Sequence, residues 1–381
     1  MYILGINISH HASLCLLKDG KVLFYLEEER LSRIKHSIEF DKDKNLLLSP
    51  FLRKFLSLKI IKQYTNHIDH IIFASYIREP EEDKKINQKI LDELKILNIT
   101  YSFAQFLQEH HLYHAYSGFI QSGFSKAKCL ILDGGGAPSN KNNFQKFQEI
   151  ESVYSLSLNN SFKPLFKHYS TNLLSTVYNL KFEKKVGCEY IYSSSISCGA
   201  LFNLSCHFLN FKSTIAEAGK LMGLSSYGKD NKKFKSKWYW KLNNNWFSNS
   251  IVIGFLLYNL KKIPNTSQKA ADFAFKLQKE TFKYTLKLIK KFYNTSKKEN
   301  IIISGGYALN CVNNYKYIKS LPKNVKLYID PLGHDGGTSY GAAMYLWHKL
   351  NPNIKSKPIK NLYLGPKYSK EQLIEGIKKY V

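Results

Sequence analysis

The first thirty residues alternate short apolar segments with polar turns, a pattern that predicts strands. Three apolar segments follow one another, over residues 2–8, 14–17 and 21–26. Asp19-Gly20 separates the last two, and this dipeptide between apolar segments is typical of a tight β-hairpin turn. Gly5 lies inside the first segment, where a strand glycine indicates a close approach by another backbone or a ligand. The pattern therefore predicts strand, polar turn, strand, tight turn, strand.

Later segments predict helices and further strands. Apolar residues recur at helical spacing over residues 267–292 and predict one long amphipathic helix with a buried stripe. Two other segments predict helices, residues 45–57 and 84–97, and four predict strands: residues 71–74, 128–132, 301–304 and 325–329. The last three strands each run into a glycine-rich turn, so the N-terminal combination of strand and polar turn recurs. This repetition indicates a duplicated, two-lobed α/β architecture with a ligand between the lobes.

The composition is that of a folded protein with a sizeable core. Of the 381 residues, 44% are hydrophobic and 22% are charged, which excludes a wholly disordered chain. Apolar runs such as residues 251–257 are too short to span a bilayer, so no membrane partner is expected. The net charge of +27 is spread along the chain. We therefore expect a polyanionic ligand such as a nucleotide and regard nucleic acid as the weaker alternative.

The six cysteines are scattered along the chain, and none form a CxxC pair. No secretory signal precedes Gly5. Both observations predict reduced thiols in a cytoplasmic protein.

The most informative motif is a short run of histidines at residues 110–114. On a helix, His110 and His114 project from the same face, about one turn apart. Two imidazoles at this spacing can bind one divalent metal ion, provided that a third ligand comes from elsewhere. Alternatively, they are ordinary half-buried histidines, since short motifs often match by chance. Gly123 is the predicted end of this helix.

Two aspartates follow predicted strands and are candidate functional residues. Asp133 precedes three glycines, a turn through which a phosphate can approach the backbone, although it also suits a plain loop. Asp335 lies in a glycine-rich turn before a predicted helix, and it is the candidate third metal ligand because carboxylate is a hard donor. Its alternative role is that of a helix N-cap.

Three other segments suit a nucleotide site. In the charged segment 27–36, Lys35 can act as a point charge on a phosphate, although the segment also suits a solvated helix start in which Glu29 pairs with Arg33. Residues 216–228 have recurring glycines and suit either a flexible loop or a ligand-side loop of the cleft. Gly305-Gly306 follows a strand and precedes a helix, where free amides can bind phosphate or ribose.

Together these motifs resemble one family, the O-carbamoyltransferases of nodulation-factor and antibiotic biosynthesis, whose first domain is similar to the tRNA threonylcarbamoyltransferase subunit. The matching stretches occur in the same order along the chain: residues 5–13, 28–36, 110–115, 133–136, 219–228, 305–310 and 333–343. The resemblance implies an α/β, two-lobed actin-like fold, the duplicated RNase H-like fold of sugar kinases, Hsp70 and actin. It also implies the bounds of the two lobes, which are approximately residues 1–125 and residues 126–355.

The resemblance further implies a reaction. Family members form a carbamoyl-adenylate from ATP and carbamoyl phosphate, and then pass the carbamoyl group to an acceptor hydroxyl beside Fe²⁺ or a similar divalent metal, with Mg²⁺ as an additional candidate. The implied metal ligands are His110, His114 and Asp335, and the implied catalytic residues are His10 and Asp133. The implied nucleotide-binding residues are Lys35, Gly134, Gly135, Gly305, Gly306 and Asn310.

The chain also departs from the family pattern. The first turn usually reads His-Asp-Ala-Ser, and His11 replaces the aspartate. Residues 356–381 resemble the start of the adenylate-forming C-terminal domain, most of which is absent, so we expect either a fragment or a separate chain that supplies it. Acceptor contacts, to a sugar or another natural product, are expected within residues 140–213. A tRNA-modifying protein and a truncated non-catalytic subunit are the alternatives to a carbamoyltransferase.

Overall fold

The structure is a computed structural model. It describes residues 1–37, 39–41, 46–48, 55–74, 80–139, 147–159, 161–171, 180–212, 217–261, 263–294, 296–352, 354 and 357–379.

The strands are, in chain order, β1 (Tyr2–Asn7), β2 (Ser13–Lys18), β3 (Lys21–Glu27), β4 (Glu39–Asp41), β5 (Leu46–Leu48), β6 (His67–Phe73), β7 (Thr100–Phe106), β8 (Lys126–Leu132), β9 (Gln148–Ser157), β10 (Phe162–Ser170), β11 (Lys181–Lys185), β12 (Cys188–Ser193), β13 (Tyr239–Leu242), β14 (Asn245–Ser248), β15 (Glu299–Ser304) and β16 (Val325–Ile329). The helices are α1 (Glu29–Ser32), α2 (Leu58–Ile61), α3 (Pro80–Ile96), α4 (His110–Ser122), α5 (Cys198–Phe208), α6 (Ala218–Leu224), α7 (Ser250–Tyr258), α8 (Gln268–Lys291), α9 (Cys311–Ser320), α10 (Gly337–Leu350) and α11 (Lys370–Lys378).

Two sheets repeat the same strand order. In the first sheet the order is β3-β2-β1-β6-β7, with antiparallel pairing among β1, β2 and β3 and parallel pairing among β1, β6 and β7. The second sheet contains the equivalent order β10-β9-β8-β15-β16 with the same pairing directions. Strands β12 and β11 extend its β10 edge. This duplication is that of the two-lobed actin-like fold, and it confirms the predicted fold class.

The two sheets exchange helices. Helix α4 follows the last strand of the first sheet but packs on β8 and β15 of the second, whereas α10 follows the second sheet and packs on β1 and β2 of the first. The two helices also pack against each other. Gly5 and Gly341 permit this arrangement, because a Cβ at Gly5 would overlap the backbone of Ser339 and one at Gly341 would overlap the backbone of Tyr113. The predicted close approach at Gly5 is confirmed.

Apolar side chains cover both faces of both sheets. One core lies between the sheets and contains the buried faces of α4 and α10. A second core packs α2 and α3 on the outer face of the first sheet. A third packs α5, α8 and α9 on the outer face of the second sheet. Because β1 is covered on both sides, it is apolar without alternation.

Most predicted elements are confirmed. The hairpin turn has positive φ at both Asp19 and Gly20, α4 ends at Gly123 in the left-handed conformation, and α8 matches the predicted long helix within one residue at each end.

Two expectations are wrong. Residues 46–48 form strand β5 instead of part of a helix, while residues 45 and 49–54 of that prediction lie outside the described residues. Residues 218–224 form helix α6, so the flexible-loop alternative for residues 216–228 is wrong there; residue 216 lies outside the described part. The other alternative, a position on the ligand side, agrees with the structure, because Ala218, Gly219 and Met222 line the cavity described below. Among the described helices, none has both the length and the apolar character required to cross a membrane.

Candidate functional site

A cavity of about 340 Å³ lies where the two halves of the molecule meet. Its walls come from the turn after β1, the segment before β4, the turn after β8, helices α5 and α6, and the turns before α9 and α10. Asp133 and Asp335 both line it. The carboxylates that the sequence places about 200 residues apart therefore face one space, as the strand-end turns predicted.

Helix α4 places two imidazoles directly behind these carboxylates. His110 and His114 are fully buried, and their Nε2 atoms lie 3.2 Å apart. The four-residue spacing brings both rings to the same side of the helix, as predicted. His111 points elsewhere: its Nδ1 lies 2.8 Å from the Ser152 hydroxyl.

The two carboxylates complete a compact group, which we call the donor cluster (His110, His114, Asp133 and Asp335). Asp133 Oδ2 lies 3.1 Å from His110 Nε2 and 3.9 Å from His114 Nε2. Asp335 Oδ1 lies 3.7 and 3.8 Å from the same two atoms. Asp335 does not cap α10: the residue at the N-cap position is Gly336. The N-cap alternative for Asp335 is therefore wrong.

The imidazoles and carboxylates of the donor cluster shift one another's pKa values. Burial lowers the pKa of His110, but the carboxylates of Asp335 and Asp133 outweigh it and raise that pKa to about 9. Burial raises the pKa of Asp133, but its hydrogen bond with His110 holds the value down to about 2. The pKa of Asp335 falls well below its usual range because the His10 and His110 imidazoles outweigh burial. Both carboxylates are thus ionised, and positive charge is favoured between them.

The donor cluster fits a divalent cation. One nitrogen or oxygen from each of the four residues lies within 4.8 Å of the others, and all four residues are buried. Two nitrogen and two oxygen donors separated by about 3–4 Å suit one cation at about 2.1 Å from each. A mixed imidazole and carboxylate set is typical of Fe²⁺, Mn²⁺ or Zn²⁺ sites.

The turn after β1 reaches the donor cluster from the first half of the molecule. Ser9 Oγ donates to Asp335 Oδ2 at 2.8 Å, and His10 Nδ1 lies 3.5 Å from the same oxygen. His10 lines the cavity, and about a third of its side chain is exposed. This places the predicted catalytic histidine between the cluster and the cavity.

The predicted nucleotide-binding residues divide into two groups. Four of them line the cavity: Lys35, Gly134, Gly306 and Asn310. The Gly306 amide donates to Asp133 Oδ1 at 3.2 Å, so this turn also orients the carboxylate. The Asn310 side chain caps α9 and pairs with Gln278, which gives it a structural role besides lining the cavity.

Gly135 and Gly305 are not among the cavity-lining residues of the described chain. Gly305 has φ +93°, and a Cβ there would meet the backbone of Leu132. Its glycine is therefore required by the close approach of the turn to β8.

Three further histidines line the cavity: His11, which the sequence analysis noted only as a departure from the family pattern, and His36 and His334, which it did not single out. They lie inside or beside the motifs that carried the family resemblance. Each is the sequence neighbour of a predicted site residue (His10, Lys35 or Asp335), and this was the only feature of the sequence that could have indicated a place in the site. Spacing alone gave no reason to assign them to one wall of the cavity.

The charged segment before the cavity contains the short helix α1 with an exposed Arg30, but Glu28 and Glu29 at its start bind backbone amides of other segments. Glu28 is buried, and its carboxylate accepts from the Leu56 and Ser57 amides at 2.7 and 3.2 Å. Glu29 Oε2 accepts from the His36 amide at 2.6 Å. These contacts fold the segment back and bring Lys35 to the cavity. The structure therefore contains both the helix start of one alternative and the cavity-lining Lys35 of the other.

A second cavity of about 220 Å³ is lined partly by the segment expected to contact the acceptor and partly by residues 108–109 and 137–139. The Lys167 ammonium and the Glu149 carboxylate, 2.6 Å apart, lie on its wall. Tyr169 and Tyr192 also line it, with their rings stacked 5.3 Å apart. Aromatic faces beside hydrogen-bonding groups are typical of small-molecule sites.

Comparison with known proteins gives a consistent result. The family model described as carbamoyltransferase N-terminus matches residues 2–344. The chain is 26% identical to an uncharacterized protein of Synechocystis sp., with 98% of this chain and 62% of the relative covered. It is 22% identical to the nodulation protein NolNO of Sinorhizobium fredii, with 96% of this chain and 50% of the relative covered. The chain thus spans about half to three fifths of the length of these relatives.

Solved structures show the same fold at low sequence identity. Full-length HypF in its phosphate- and nucleotide-bound form is 14% identical, with a TM-score of 0.55 over 93% of this chain and 47% of that one. HypF of T. kodakarensis is 13% identical, with a TM-score of 0.51 over 93% of this chain and 48% of that one.

Proposed function

The chain belongs to the carbamoyltransferase N-terminus family, and from this membership we propose that it transfers a carbamoyl group from a carbamoyl-adenylate to an acceptor hydroxyl. The observation that carries the proposal is the donor cluster, whose two carboxylates line a 340 Å³ cavity. A cavity of this volume falls in the range of small-molecule sites. Its mixture of glycine amides, Lys35 and imidazoles suits a phosphate-containing ligand.

His10 is the residue we assign as general base. An acceptor hydroxyl is a poor nucleophile, and a positioned base removes its proton as it attacks. In the proposed step the hydroxyl oxygen bonds to the carbamoyl carbon, the bond from that carbon to the phosphate oxygen breaks, AMP leaves, and His10 takes the proton. Lys35 places a positive charge at the cavity and would stabilise the phosphate. No contact of Asp133 sets it apart as a second base, and its position in the donor cluster supports a ligand role.

The four residues of the donor cluster would hold the cation. When bound, a divalent cation supplies Lewis-acid polarisation of a carbonyl or phosphate oxygen. We propose Fe²⁺ or a similar divalent metal, because the donor set mixes nitrogen and oxygen.

We place adenylate formation in another domain. Residues 1–355 would form the transfer domain, and residues 356–381 would begin a C-terminal domain that uses ATP and carbamoyl phosphate. The greater length of the relatives supports this assignment. In this proposal the rest of the C-terminal domain belongs to the remainder of a longer protein or to a separate chain.

We place acceptor contacts at the second cavity. Its stacked Tyr169 and Tyr192 rings could pack on a sugar ring, and the Lys167–Glu149 pair could bond to sugar hydroxyls. We propose a sugar or glycan acceptor on this basis. The six cysteines are free thiols, which supports a reducing, cytoplasmic location.

A reconstitution experiment tests the function. The chain is incubated with a protein that supplies the adenylate-forming domain, ATP, carbamoyl phosphate and a panel of sugars, and mass spectrometry measures the carbamoyl adduct. We expect an adduct only when both proteins are present. His10→Ala should keep the bound metal and lose the adduct. An adduct formed equally well without this chain, or by His10→Ala, would contradict the proposal.

A further inference from the structure

The turn after β1 holds His11 in an unusual backbone conformation. Its φ is +58°, which is uncommon for a residue other than glycine. The His11 amide donates to the His36 carbonyl at 2.8 Å, and Asn7 Nδ2 donates to the His11 carbonyl at 3.2 Å. These two hydrogen bonds hold the His11 backbone in its strained conformation. Residues held in this way concentrate at functional sites.

The result of this backbone conformation is a fixed position for the His11 ring. The ring stacks on His334 with centroids 4.7 Å apart, and its edge meets His36 at 4.2 Å. Burial and then the neighbouring His10 imidazole lower the pKa of His11 far below its usual value. His11 is therefore neutral, with one ring nitrogen that donates and one that accepts.

His334 does not compete for the nitrogens of His11. Its Nδ1 accepts from the Gly336 amide at 3.1 Å, and its Nε2 lies 3.5 Å from Glu27 Oε1. The proton of His334 is thus on Nε2, and only the face of its ring meets His11.

Among the described residues, the third ring that contacts the His11 ring is that of His10. The Nδ1 atoms of the two rings lie 3.1 Å apart, so one of them carries the hydrogen and the other accepts. His10 Nδ1 also lies 3.5 Å from Asp335 Oδ2, which can only accept when ionised. A hydrogen on His10 Nδ1 can be accepted by His11 Nδ1 or by Asp335 Oδ2. If His11 Nδ1 carried the hydrogen instead, the lone pair of His10 Nδ1 would face the Asp335 carboxylate, which is unfavourable.

We propose that His11 is a positioning residue that fixes the tautomer of His10: His11 Nδ1 accepts the Nδ1 hydrogen of His10, so that His10 Nε2 carries the basic lone pair. The inference rests on the role proposed for His10 in carbamoyl transfer. The arrangement follows the general rule that the contact of one imidazole nitrogen decides the proton state of the other.

Two substitutions separate the acceptor from the backbone conformation. His11→Asn keeps an acceptor near the position of Nδ1 and tolerates positive φ. His11→Gly adopts the same backbone without strain but has no side-chain acceptor. Melting temperatures of both variants verify that they fold.

The direct measurement is the ¹⁵N NMR spectrum of histidine-labelled protein, recorded metal-free and with Zn²⁺, with the His10 signals assigned from His10→Asn. We expect the Nδ1–H tautomer for His10 in the wild type and in His11→Asn, and a mixture that includes Nε2–H in His11→Gly. A wild-type His10 protonated on Nε2 would overturn the inference, as would a His11→Gly spectrum with the wild-type tautomer.

Kinetics give the second readout. We expect His11→Gly to lower kcat by about 10- to 100-fold with little change in KM, and His11→Asn to recover most of it, because the loss is one of base orientation. Equal kcat in all three proteins would contradict the role. If the wild type transfers no carbamoyl group, the proposed function fails, while the spectra still decide the tautomer.

Discussion

The molecule contains two buried groups of carboxylate and imidazole side chains, and they differ in what they can bind. One is the donor cluster at the cavity. The other, which we call the closed network, consists of Glu151, His168, Ser193 and Tyr284, all of them buried. Tyr284 donates to Glu151 Oε2 at 2.5 Å, His168 Nδ1 lies 3.3 Å from that oxygen, and His168 Nε2 lies 2.7 Å from Ser193 Oγ.

The balance of hydrogens and acceptors distinguishes the two groups. In the closed network, the tyrosine, imidazole and serine hydrogens each meet an acceptor in series, so these hydrogens are balanced without a cation. Glu151 Oε1 is buried and has no hydrogen-bond partner among the described residues. In the donor cluster, two Nε2 atoms face each other at 3.2 Å between two ionised carboxylates, and a cation suits that space. The serine, histidine and glutamate of the closed network are hydrogen-bonded in the order of a hydrolase triad, but they do not line the two cavities described above. Tyr284 alone of the four borders a third cavity, which has a volume of only about 20 Å³. Residue types alone therefore do not identify a site; charge balance and access do.

The largest expected effect is a loss of bound metal, which should follow a substitution in the donor cluster but not one in the closed network. His110→Ala should purify with little bound metal and lose at least about 100-fold in transfer activity, because even supporting contacts of metal ligands are worth about 10- to 100-fold. Elemental analysis and the transfer assay measure these quantities. Ser193→Ala is the matched control from the closed network and should retain its metal. A His110→Ala protein with full metal content would break the comparison.

The second effect concerns stability. Adding a divalent cation at about 100 times its Kd should raise the free energy of unfolding by about 2.7 kcal/mol, because only the folded chain offers the complete donor set. Asp335→Asn should lose this increment, while Glu151→Gln should keep it at a lower starting stability. Denaturant titrations with and without cation measure the difference. An equal increment in Asp335→Asn would place the cation elsewhere.

The third effect is confined to the closed network. Tyr284→Phe removes a hydroxyl that donates to a buried carboxylate. Hydrogen bonds to charged groups are worth about 1.5–3 kcal/mol, so the free energy of unfolding should fall by that amount. Metal content and turnover should stay at wild-type values. A loss of metal in this variant would show that the two groups are coupled.

The smallest effect tests the hydrolase-like order directly. Ser193→Ala removes a hydroxyl that accepts from the Ser195 amide at 3.0 Å and contacts His168. We expect a loss of about 1 kcal/mol in unfolding free energy. Hydrolysis of a small activated ester should be the same as in the wild type. Slower ester hydrolysis in the variant would assign chemistry to this serine.

Local patterns predicted much of the fold, and their success has a physical basis. The Asp19-Gly20 hairpin, the stop at Gly123 and the stripe of α8 depend on turn chemistry and side-chain period, which neighbouring residues determine. The helix predicted over residues 45–57 is wrong at residues 46–48, which are three consecutive leucines. An apolar run this short has no period that distinguishes a helix from a strand.

The site was predictable only in part. The spacing of His110 and His114 predicts a shared face, and the structure brings Asp335 within 3.8 Å of both Nε2 atoms. Asp133 entered the sequence analysis as a catalytic residue, and its contact with His110 depends on where the second sheet meets α4. The ring contacts of His11 depend on a positive φ and on the turn before α10. Neither the contact between Asp133 and His110 nor the ring contacts of His11 can be predicted from the spacing of nearby residues.

The exchange of α4 and α10 between the sheets has a consequence for how the chain can be divided. If the gene were cut near residue 125, each product would carry one sheet without the helix that covers its inner face, and a helix that belongs on the other product. Neither product could shield its own strands from water. The two halves should therefore be insoluble when produced separately and recover a folded complex only when they are produced together.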